Sequence, residues 1–560
     1  MNRRGFLAGM SAAAGLAGCG GNSGVLPWRA GPTLPPLTGE LLGRAVGARG
    51  HRLRDGATPL PRGASDCVDV LIVGGGVAGL TAAWRLRAGG FAGTLRLLDA
   101  DDALGGTARS GESAVTPYPW GAHYLTLPSR EAGYLRALLA DLGVITGFDT
   151  EGRPRFHPRM LCAAPGERLH AGHDPAAPWL PGLWNELPVE GEALRQRESF
   201  HAACEAWRAR VGADGRPAFA LPVAESSLDP AIRALAGRSF ASWLDAEGYT
   251  DPVLRAGCRY ATRDDYGAEP EQVSAWAGLH YFCARRPWHG EGPDLGTDIL
   301  TWPAGNGWIV ARLAATARAE VWTGALARSV VADAGGVAVD VEIGGVSREV
   351  RARHVILAVP PRVAMRLVGP PQDSHEPTPF AELAPWRVAN LHLTDLPRSN
   401  GVPFAWDSVI ADAAGLGYVN AAHQSLRTRG PTVLTWYMPL SQWTPSAGRH
   451  VLAAADWASE ADLVVSEVSR AHADLRSLLT RVDVLHHGHG TAIPAMGLHA
   501  EALVLPRLAG PGSDRVSFAH ASLSGVSLFE EAAWHGIRAG EEALAALLGL
   551  DTTRRLVRVR

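Results

Sequence analysis

The sequence predicts an α/β protein in which a doubly wound parallel sheet is joined to a discontinuous α+β domain. Three observations support this fold class. Residues 68–90 combine an apolar run, closely spaced glycines and a helical stretch, residues 95–99 are a second apolar run ending in an acid, and residues 321–361 form a string of short strands. With 560 residues, 46% of them hydrophobic, the chain is long enough for a large core and two or more lobes.

The composition excludes several kinds of chemistry. A formal net charge of -3 gives no reason to expect a nucleic-acid partner. All 53 basic residues are arginines, which stay protonated, so no step can use a lysine as a base or as a Schiff-base amine. The six cysteines are scattered and form no C-x-x-C pair, so neither a disulfide scaffold nor a metal site is predicted.

Residues 1–19 have the character of a targeting segment. Arg3 and Arg4 precede a run of small apolar residues that is too short to make a good membrane-spanning helix. The paired arginines resemble a twin-arginine export signal, and the following Leu-Ala-Gly-Cys resembles a lipoprotein cleavage box, which implies a lipid on Cys19. Residues 20–65 are rich in Gly, Pro and Arg and are predicted to be a linker. We therefore expect a periplasmic location, with membrane contact only through the signal or the lipid anchor.

The first element of the folded part is a dinucleotide-binding unit. Residues 68–73 predict a buried parallel strand, and residues 80–87 predict the helix that follows. Between them, Gly74, Gly76 and Gly79 form the pattern G-x-G-x-x-G. Glycines at this spacing allow a tight turn, close approach of the backbone to a pyrophosphate and close packing of helix on strand. The phosphates are expected at the helix N-terminus, where free N–H groups favour negative charge.

The second strand narrows the choice of nucleotide. Residues 95–98 lead into Asp99, about 20 residues past the last glycine, where a carboxylate binds a ribose hydroxyl. Residues 100–102 contain no arginine for a 2′-phosphate, which disfavours NADP. A further glycine pair, Gly105 and Gly106, allows the chain to pass close to a longer cofactor.

The turn at residues 105–110, GGTARS, resembles that of the FAD-binding amine oxidase superfamily, which includes monoamine and polyamine oxidases, protoporphyrinogen oxidases and carotenoid desaturases. The resemblance implies FAD as the cofactor and a Rossmann-like FAD-binding domain. Two later segments fit it: residues 118–129, which in the family return to the flavin ring, and the strands near Ala327, where backbone meets the adenine. The motif and the resemblance together assign cofactor contacts to Gly74, Gly76, Gly79, Asp99, Gly105, Gly106, Thr107, Arg109, Gly121, Ala122, Ala327, Phe529 and Glu530.

The C-terminal segment fits the same family with two departures. A strand at residues 516–519 precedes a helix from about Leu528, and the family's final helix aims its N-terminus at the flavin. Residues 529–532, FEEA, match the hydrophobic-Glu-Gly-Ala signature, except that Glu531 replaces the glycine. His520 also stands where the family usually has glycine. We therefore expect the flavin contacts at this end to be rearranged.

The resemblance also implies how the chain is divided. The FAD-binding domain is assigned to residues 66–130, 300–362 and 481–550, and the substrate domain to residues 131–299 and 363–480.

The catalytic residues are the least determined part of the prediction. Many amine oxidases of this family use a lysine that holds a water near the flavin, and this chain has none. His123 and Tyr124, soon after the glycine pair, and His489, before the last FAD segment, are the candidates. Residues 263–266, RDDY, are either a polar substrate clamp or part of a capped helix with Asp265 near its start.

The leading functional prediction is an exported FAD-dependent oxidoreductase that oxidises a small amine by hydride transfer to flavin N5. The electron acceptor is expected to be oxygen or a quinone. Two alternatives remain open: a flavin desaturase or isomerase acting on an apolar substrate, and a flavin-binding accessory protein with little turnover.

Overall fold

The computed structural model describes residues 36–55, 59–288, 298–369, 380–497 and 512–549. The predicted export signal, with Arg3, Arg4 and Cys19, lies outside the described residues. Among the described residues, none of the helices combines the length and apolar character needed to cross a bilayer.

The secondary structure alternates between short strands and helices. Within the described ranges the strands are β1 (Leu41–Leu42), β2 (Asp66–Val73), β3 (Leu95–Leu98), β4 (Ser110–Glu112), β5 (Pro117–Pro119), β6 (Tyr124–Thr126), β7 (Ile145–Phe148), β8 (Pro154–Phe156), β9 (Glu167–His170), β10 (Trp179–Pro181), β11 (Ile299–Thr301), β12 (Glu320–Trp322), β13 (Leu326–Asp333), β14 (Gly336–Ile343), β15 (Val346–Leu357), β16 (Leu383–Leu393), β17 (Asp407–Ile410), β18 (Tyr418–Asn420), β19 (Thr432–Pro439), β20 (Leu479–Ala492) and β21 (Val516–Phe518). The helices are α1 (Arg44–Asp55), α2 (Val77–Ala88), α3 (Gly133–Asp141), α4 (Gly191–Ala209), α5 (Pro230–Arg233), α6 (Phe240–Ala246), α7 (Pro252–Tyr266), α8 (Ala275–Cys283), α9 (Gly307–Ala317), α10 (Pro361–Val368), α11 (Pro445–Ala454), α12 (Trp457–Ser469), α13 (Leu475–Leu478) and α14 (Phe529–Leu548).

The predicted parallel sheet is a seven-stranded sheet with the order β12-β3-β2-β15-β14-β13, and β21 pairs with β15. The pairs of β2 with β3, β2 with β15, β3 with β12 and β15 with β21 are parallel, whereas β13, β14 and β15 pair antiparallel. Both faces are covered: Ile72 packs with residues of α2, α9 and α14, and Leu71 packs with β14 and α10. This arrangement confirms the predicted α/β class and explains why the apolar run of β2 is continuous.

A second, eight-stranded sheet forms the base of the remaining part, with the order β1-β20-β16-β19-β18-β17-β9-β10. Because side chains alternate along a strand, its two faces have different partners. Val388 and Tyr437 lie on one face with residues of α7 and α8, while Leu391 and Leu434 lie on the other face against α12. Helices α4, α6, α7 and α8 pack around a separate aromatic core that includes Phe200 and Trp243.

Part of the predicted linker is folded. Of residues 20–65, Leu41–Leu42 pair with β20 and Arg44–Asp55 form α1. Leu53 packs against the core beneath the seven-stranded sheet, and Arg49 donates to Asp102 Oδ1 at 3.1 Å. Composition does not predict this helix, because its sequence is rich in glycine and arginine. Packing of the helix against the sheet, rather than intrinsic helix propensity, stabilises it.

Candidate active site

The glycine turn and Asp99 border a cavity of about 320 Å³, which we call the outer cavity. It lies at the carboxyl ends of β2 and β3, the edge where doubly wound sheets bind nucleotides. Nine of the residues predicted to bind the cofactor line it: Gly74, Gly76, Asp99, Gly105, Gly106, Thr107, Ala122, Ala327 and Phe529.

Each of the three positions of the motif is occupied by glycine for a different structural reason. A Cβ on Gly74 would lie 2.2 Å from the Ala358 carbonyl oxygen, and its φ of +108° favours glycine. A Cβ on Gly79 would lie 1.9 Å from the Gly74 carbonyl oxygen, so this residue allows α2 to pack on β2. A Cβ on Gly76 meets no atom of the described chain within 4 Å, because this residue faces the cavity.

The polar groups of the outer cavity suit an anionic dinucleotide. No side chain caps α2 at Gly76, its N-cap residue, so the first N–H groups of the helix remain available to a phosphate. Asp99 accepts hydrogen bonds from the Gly75 N–H at 2.9 Å and the Asp101 N–H at 2.7 Å. Burial raises the pKa of Asp99 to about 6, and these backbone donors oppose the rise. The cavity, the free helix end and the carboxylate therefore fit FAD.

A second cavity of about 170 Å³, the inner cavity, shares a wall with the first. The shared lining residues are Thr107, Ala122, Gly490, Ser527, Leu528 and Phe529. Gly121 and Glu530, also predicted to contact the cofactor, line the inner cavity only. Arg109 lines neither cavity, since its guanidinium pairs with Asp101. The contact of Arg109 with the cofactor stays a prediction.

Two of the three catalytic candidates lie in the inner cavity. His123 is buried, its Nδ1 lies 3.1 Å from the Gly121 carbonyl oxygen, and its Nε2 has no partner among the described residues. Burial lowers the pKa of His123 to about 4, so the ring is neutral. Tyr124 is adjacent, and burial raises the pKa of its hydroxyl well above 10. Neither residue is a cation or a phenolate near neutral pH.

His489 is placed differently from the prediction. It is exposed and lines the outer cavity, on the nucleotide side, and does not reach His123 and Tyr124. His487, two residues earlier on the same strand, lines the inner cavity instead, and its Nε2 lies 2.6 Å from the Trp120 carbonyl oxygen. His489 therefore lies apart from the other two candidates, and its catalytic role stays a prediction.

The stretch RDDY turns out to lie at the end of a helix. Asp264 and Asp265 occupy the last turn of α7, whereas the N-cap of that helix is Asp251. The alternative in which Asp265 caps a helix start is therefore wrong. Asp264, Asp265 and Arg285 all line the inner cavity.

The two aspartates have different partners. Arg285 Nη2 contacts both carboxylate oxygens of Asp265, at 2.8 and 2.7 Å. Asp264 forms no ion pair within the described residues, and Tyr124 lies beside it on the wall of the inner cavity. Burial raises the pKa of Asp264 to about 7, and Asp265 adds to the rise. The negative end of the α7 dipole acts in the same direction.

Further carboxylates lie behind the inner cavity, and sequence reasoning missed them. Tyr437, which lines the cavity, donates to Asp407 Oδ2 at 3.0 Å, while Asp407 Oδ1 has no partner among the described residues. Glu167 is paired in register with Asp407 on the neighbouring strand. Burial raises the pKa of Glu167 to about 7 and that of Asp407 well above its usual range. No local signal could reveal them, because β9 and β17 are more than two hundred residues apart in sequence.

The fold and the two cavities define a dinucleotide-binding oxidoreductase. The family model for flavin containing amine oxidoreductases matches residues 77–544, so the chain belongs to that family. The protein is an FAD-dependent oxidoreductase acting on a small-molecule substrate.

Solved structures show the same fold. A putrescine oxidase double mutant superposes with a TM-score of 0.61 at 15% identity, covering 86% of this chain and 100% of that chain. Cyclohexylamine oxidase from Brevibacterium oxydans IH-35A gives a TM-score of 0.57 at 15% identity, covering 86% and 99%. An oxidoreductase from Methanosarcina mazei gives 0.55 at 12% identity, covering 84% and 98%. No curated protein matches the sequence.

Proposed function

We propose that the protein oxidises a small cationic amine that binds in the inner cavity. The observation that carries the proposal is Asp264, a carboxylate on the wall of a cavity adjoining the nucleotide site, for which the described part of the chain supplies no ion-pair partner. FAD, when bound, takes up a hydride from the substrate and delivers the electrons to oxygen or a quinone. A half-buried carboxylate that lacks a counter-charge is costly, and an ammonium group would offset that cost.

The lining residues supply both charge recognition and an apolar wall. Tyr124, Trp386 and Tyr437 line the inner cavity, and their aromatic side chains can hold an alkyl chain or, by cation–π contact, an ammonium group. Asp264 can accept a proton from the ammonium nitrogen, because its pKa of about 7 leaves both protonation states accessible. The proton passes from nitrogen to a carboxylate oxygen, and the amine keeps the lone pair that its oxidation requires. Neutral His123 adds no competing positive charge.

The test is anaerobic bleaching of the FAD-loaded protein by candidate donors. We expect primary alkylamines to reduce the flavin and alcohols of equal length to be far slower. Reduction only by apolar dienes would instead indicate a desaturase or isomerase. A flavin that none of these donors reduces would indicate an accessory protein.

The quantity to measure is the rate constant for flavin reduction divided by the amine concentration that gives half of the maximal rate. Asp264→Asn should lower this ratio by about 100-fold, which is the scale of a lost general base or ion pair. In the wild type, a rising pH ionises Asp264, so affinity for the cationic amine should increase about tenfold per unit below pH 7 and then level off. The variant should lose this slope. Glu271→Gln, an exposed acid near the same helix, is the control. A wild-type slope in Asp264→Asn would refute the role of Asp264.

We also propose that the chain is exported and lipid-anchored through Cys19. The support is the sequence of residues 1–19. Cys19→Ser should release the protein from the membrane fraction into the soluble periplasmic fraction, while replacement of both Arg3 and Arg4 by Ala should retain it in the cytoplasm. Equal membrane association of Cys19→Ser and the wild type would contradict the anchor.

A further inference from the structure

The N-terminus of α14 forms part of the wall between the two cavities. Phe529 lines both cavities, Glu530 lines the inner one and Ala532 the outer one. The helix begins at Phe529, so Glu531 is its third residue. The N-cap residue, Leu528, provides no side-chain hydrogen bond to the helix end. Glu531 lines neither cavity and is fully buried. A carboxylate is therefore held within one helical turn of the wall between the two cavities.

The carboxylate of Glu531 accepts hydrogen bonds through both of its oxygens. Oε1 accepts from the Val223 N–H at 2.7 Å, and Oε2 accepts from the Ser524 hydroxyl. Ser524 has a single hydrogen and gives it to Glu531, so its oxygen accepts from His535 Nε2, at 2.8 Å. This chain of donors favours the ionised carboxylate. If Glu531 takes up a proton, the chain can reverse once the imidazole of His535 carries its proton on Nδ1 instead of Nε2. Glu531 then donates to Ser524, and Ser524 donates to His535 Nε2.

The surroundings keep the two states close in free energy. Burial raises the pKa of Glu531 to about 7, the Ser524 and Val223 donors lower it, and the neighbouring Glu530 raises it further. Burial holds the pKa of His535 well below its usual range, so the imidazole is neutral, and Arg538 and His520 act on it in the same direction. The other titratable groups facing this cluster are Tyr134 on α3 and Glu225 in the turn that follows Val223.

We propose that Glu531 is a positioning residue that sets the reduction potential of the bound flavin and takes up a proton when the flavin is reduced. Two-electron reduction with uptake of one proton leaves a negative charge on the flavin ring. An ionised Glu531 disfavours that charge, and its protonation from solvent relieves the repulsion, so that two electrons are then accompanied by two protons. The proposal depends on FAD binding and not on the identity of the substrate.

The experiment is a dye-mediated potentiometric titration of the FAD-loaded protein between pH 6 and pH 9, with no amine present. Glu531→Gln removes the charge and keeps the shape of the side chain. At pH 9, where Glu531 is ionised in the wild type, the variant should favour reduction at least about tenfold more, which is about 30 mV for a two-electron couple. At pH 6 the two potentials should converge, because the wild-type residue is protonated there. The potential of the wild type should therefore fall more steeply with pH than that of the variant.

Two further variants make the test decisive. Glu542→Gln, on the same helix but partly exposed and paired with Arg538, should leave the potential unchanged at every pH. Ser524→Ala keeps the carboxylate and removes one donor, so the steep part of the wild-type curve should move to higher pH, and this variant carries the test if Glu531→Gln does not fold. The proposal would be overturned if the flavin potential of Glu531→Gln followed that of the wild type from pH 6 to pH 9. If Glu531→Gln does not fold, the same result for Ser524→Ala would overturn it.

Discussion

Gly76→Val is expected to give a folded protein that no longer retains FAD. A Cβ at Gly76 meets no atom of the described chain within 4 Å, and its φ of -73° is accessible to any L-residue. The branched side chain would instead enter the outer cavity at the N-terminus of α2, where the phosphates of the cofactor are expected. We expect the dissociation constant for FAD to rise at least about 100-fold, which corresponds to about 2.7 kcal/mol.

Variants of two other glycines distinguish a loss of cofactor binding from a loss of folding. Gly79→Val should fail to fold properly, since its Cβ would overlap the Gly74 carbonyl oxygen at 1.9 Å. Gly147→Val, on β7, has equally open space and lies at neither cavity, so it should bind FAD as the wild type does. The readouts are flavin absorbance after reconstitution and circular dichroism. A well-folded Gly76→Val protein with full flavin absorbance would mean that the cofactor does not pass this glycine.

The nucleotide-binding part of the fold could be predicted because its signals are local. The first strand, the glycine turn, the helix and Asp99 follow one another within about 30 residues, which is the length of one such unit. The predicted helix start at Leu80 was late, since α2 begins at Val77, within the glycine motif itself. Hydrophobic periodicity detects the buried side of a helix, and the first turn of α2 faces the cavity.

The substrate side could not be predicted because pairing between distant strands creates it. Glu167 and Asp407 become neighbours only through the register of β9 with β17, and Tyr437 reaches Asp407 across the same sheet. The sequence shows Asp264 and Asp265 side by side, but it does not show which of them Arg285 pairs with. His489 and His487 differ by two residues, and the register of β20 decides which of them enters the inner cavity.

Asp265 and Arg285 form an ion pair on the wall of the inner cavity, and Arg285→Leu is expected to destabilise the fold strongly. Replacement of Arg285 by Leu leaves Asp265 buried without its counter-charge, and loss of one partner of a buried pair typically costs about 3–5 kcal/mol. Burial already raises the pKa of Asp265, and Arg285 opposes that rise. Without the guanidinium the pKa of Asp265 rises further, so the native state prefers the protonated acid.

An acid whose pKa is raised on folding loses stability as the pH rises through its folded pKa. The deficit of Arg285→Leu should therefore be larger at pH 8 than at pH 5, measured by thermal or urea unfolding. Adding Asp265→Asn should recover much of it, because no buried charge then remains. Arg259→Leu is the control, since it removes an arginine from α7, the helix that also carries Asp265. Arg259 is 53% exposed and pairs with Glu269, so its loss should cost about 1 kcal/mol or less. A loss for Arg285→Leu no greater than that of Arg259→Leu and independent of pH would mean that the charge of Asp265 is balanced by other groups around the inner cavity.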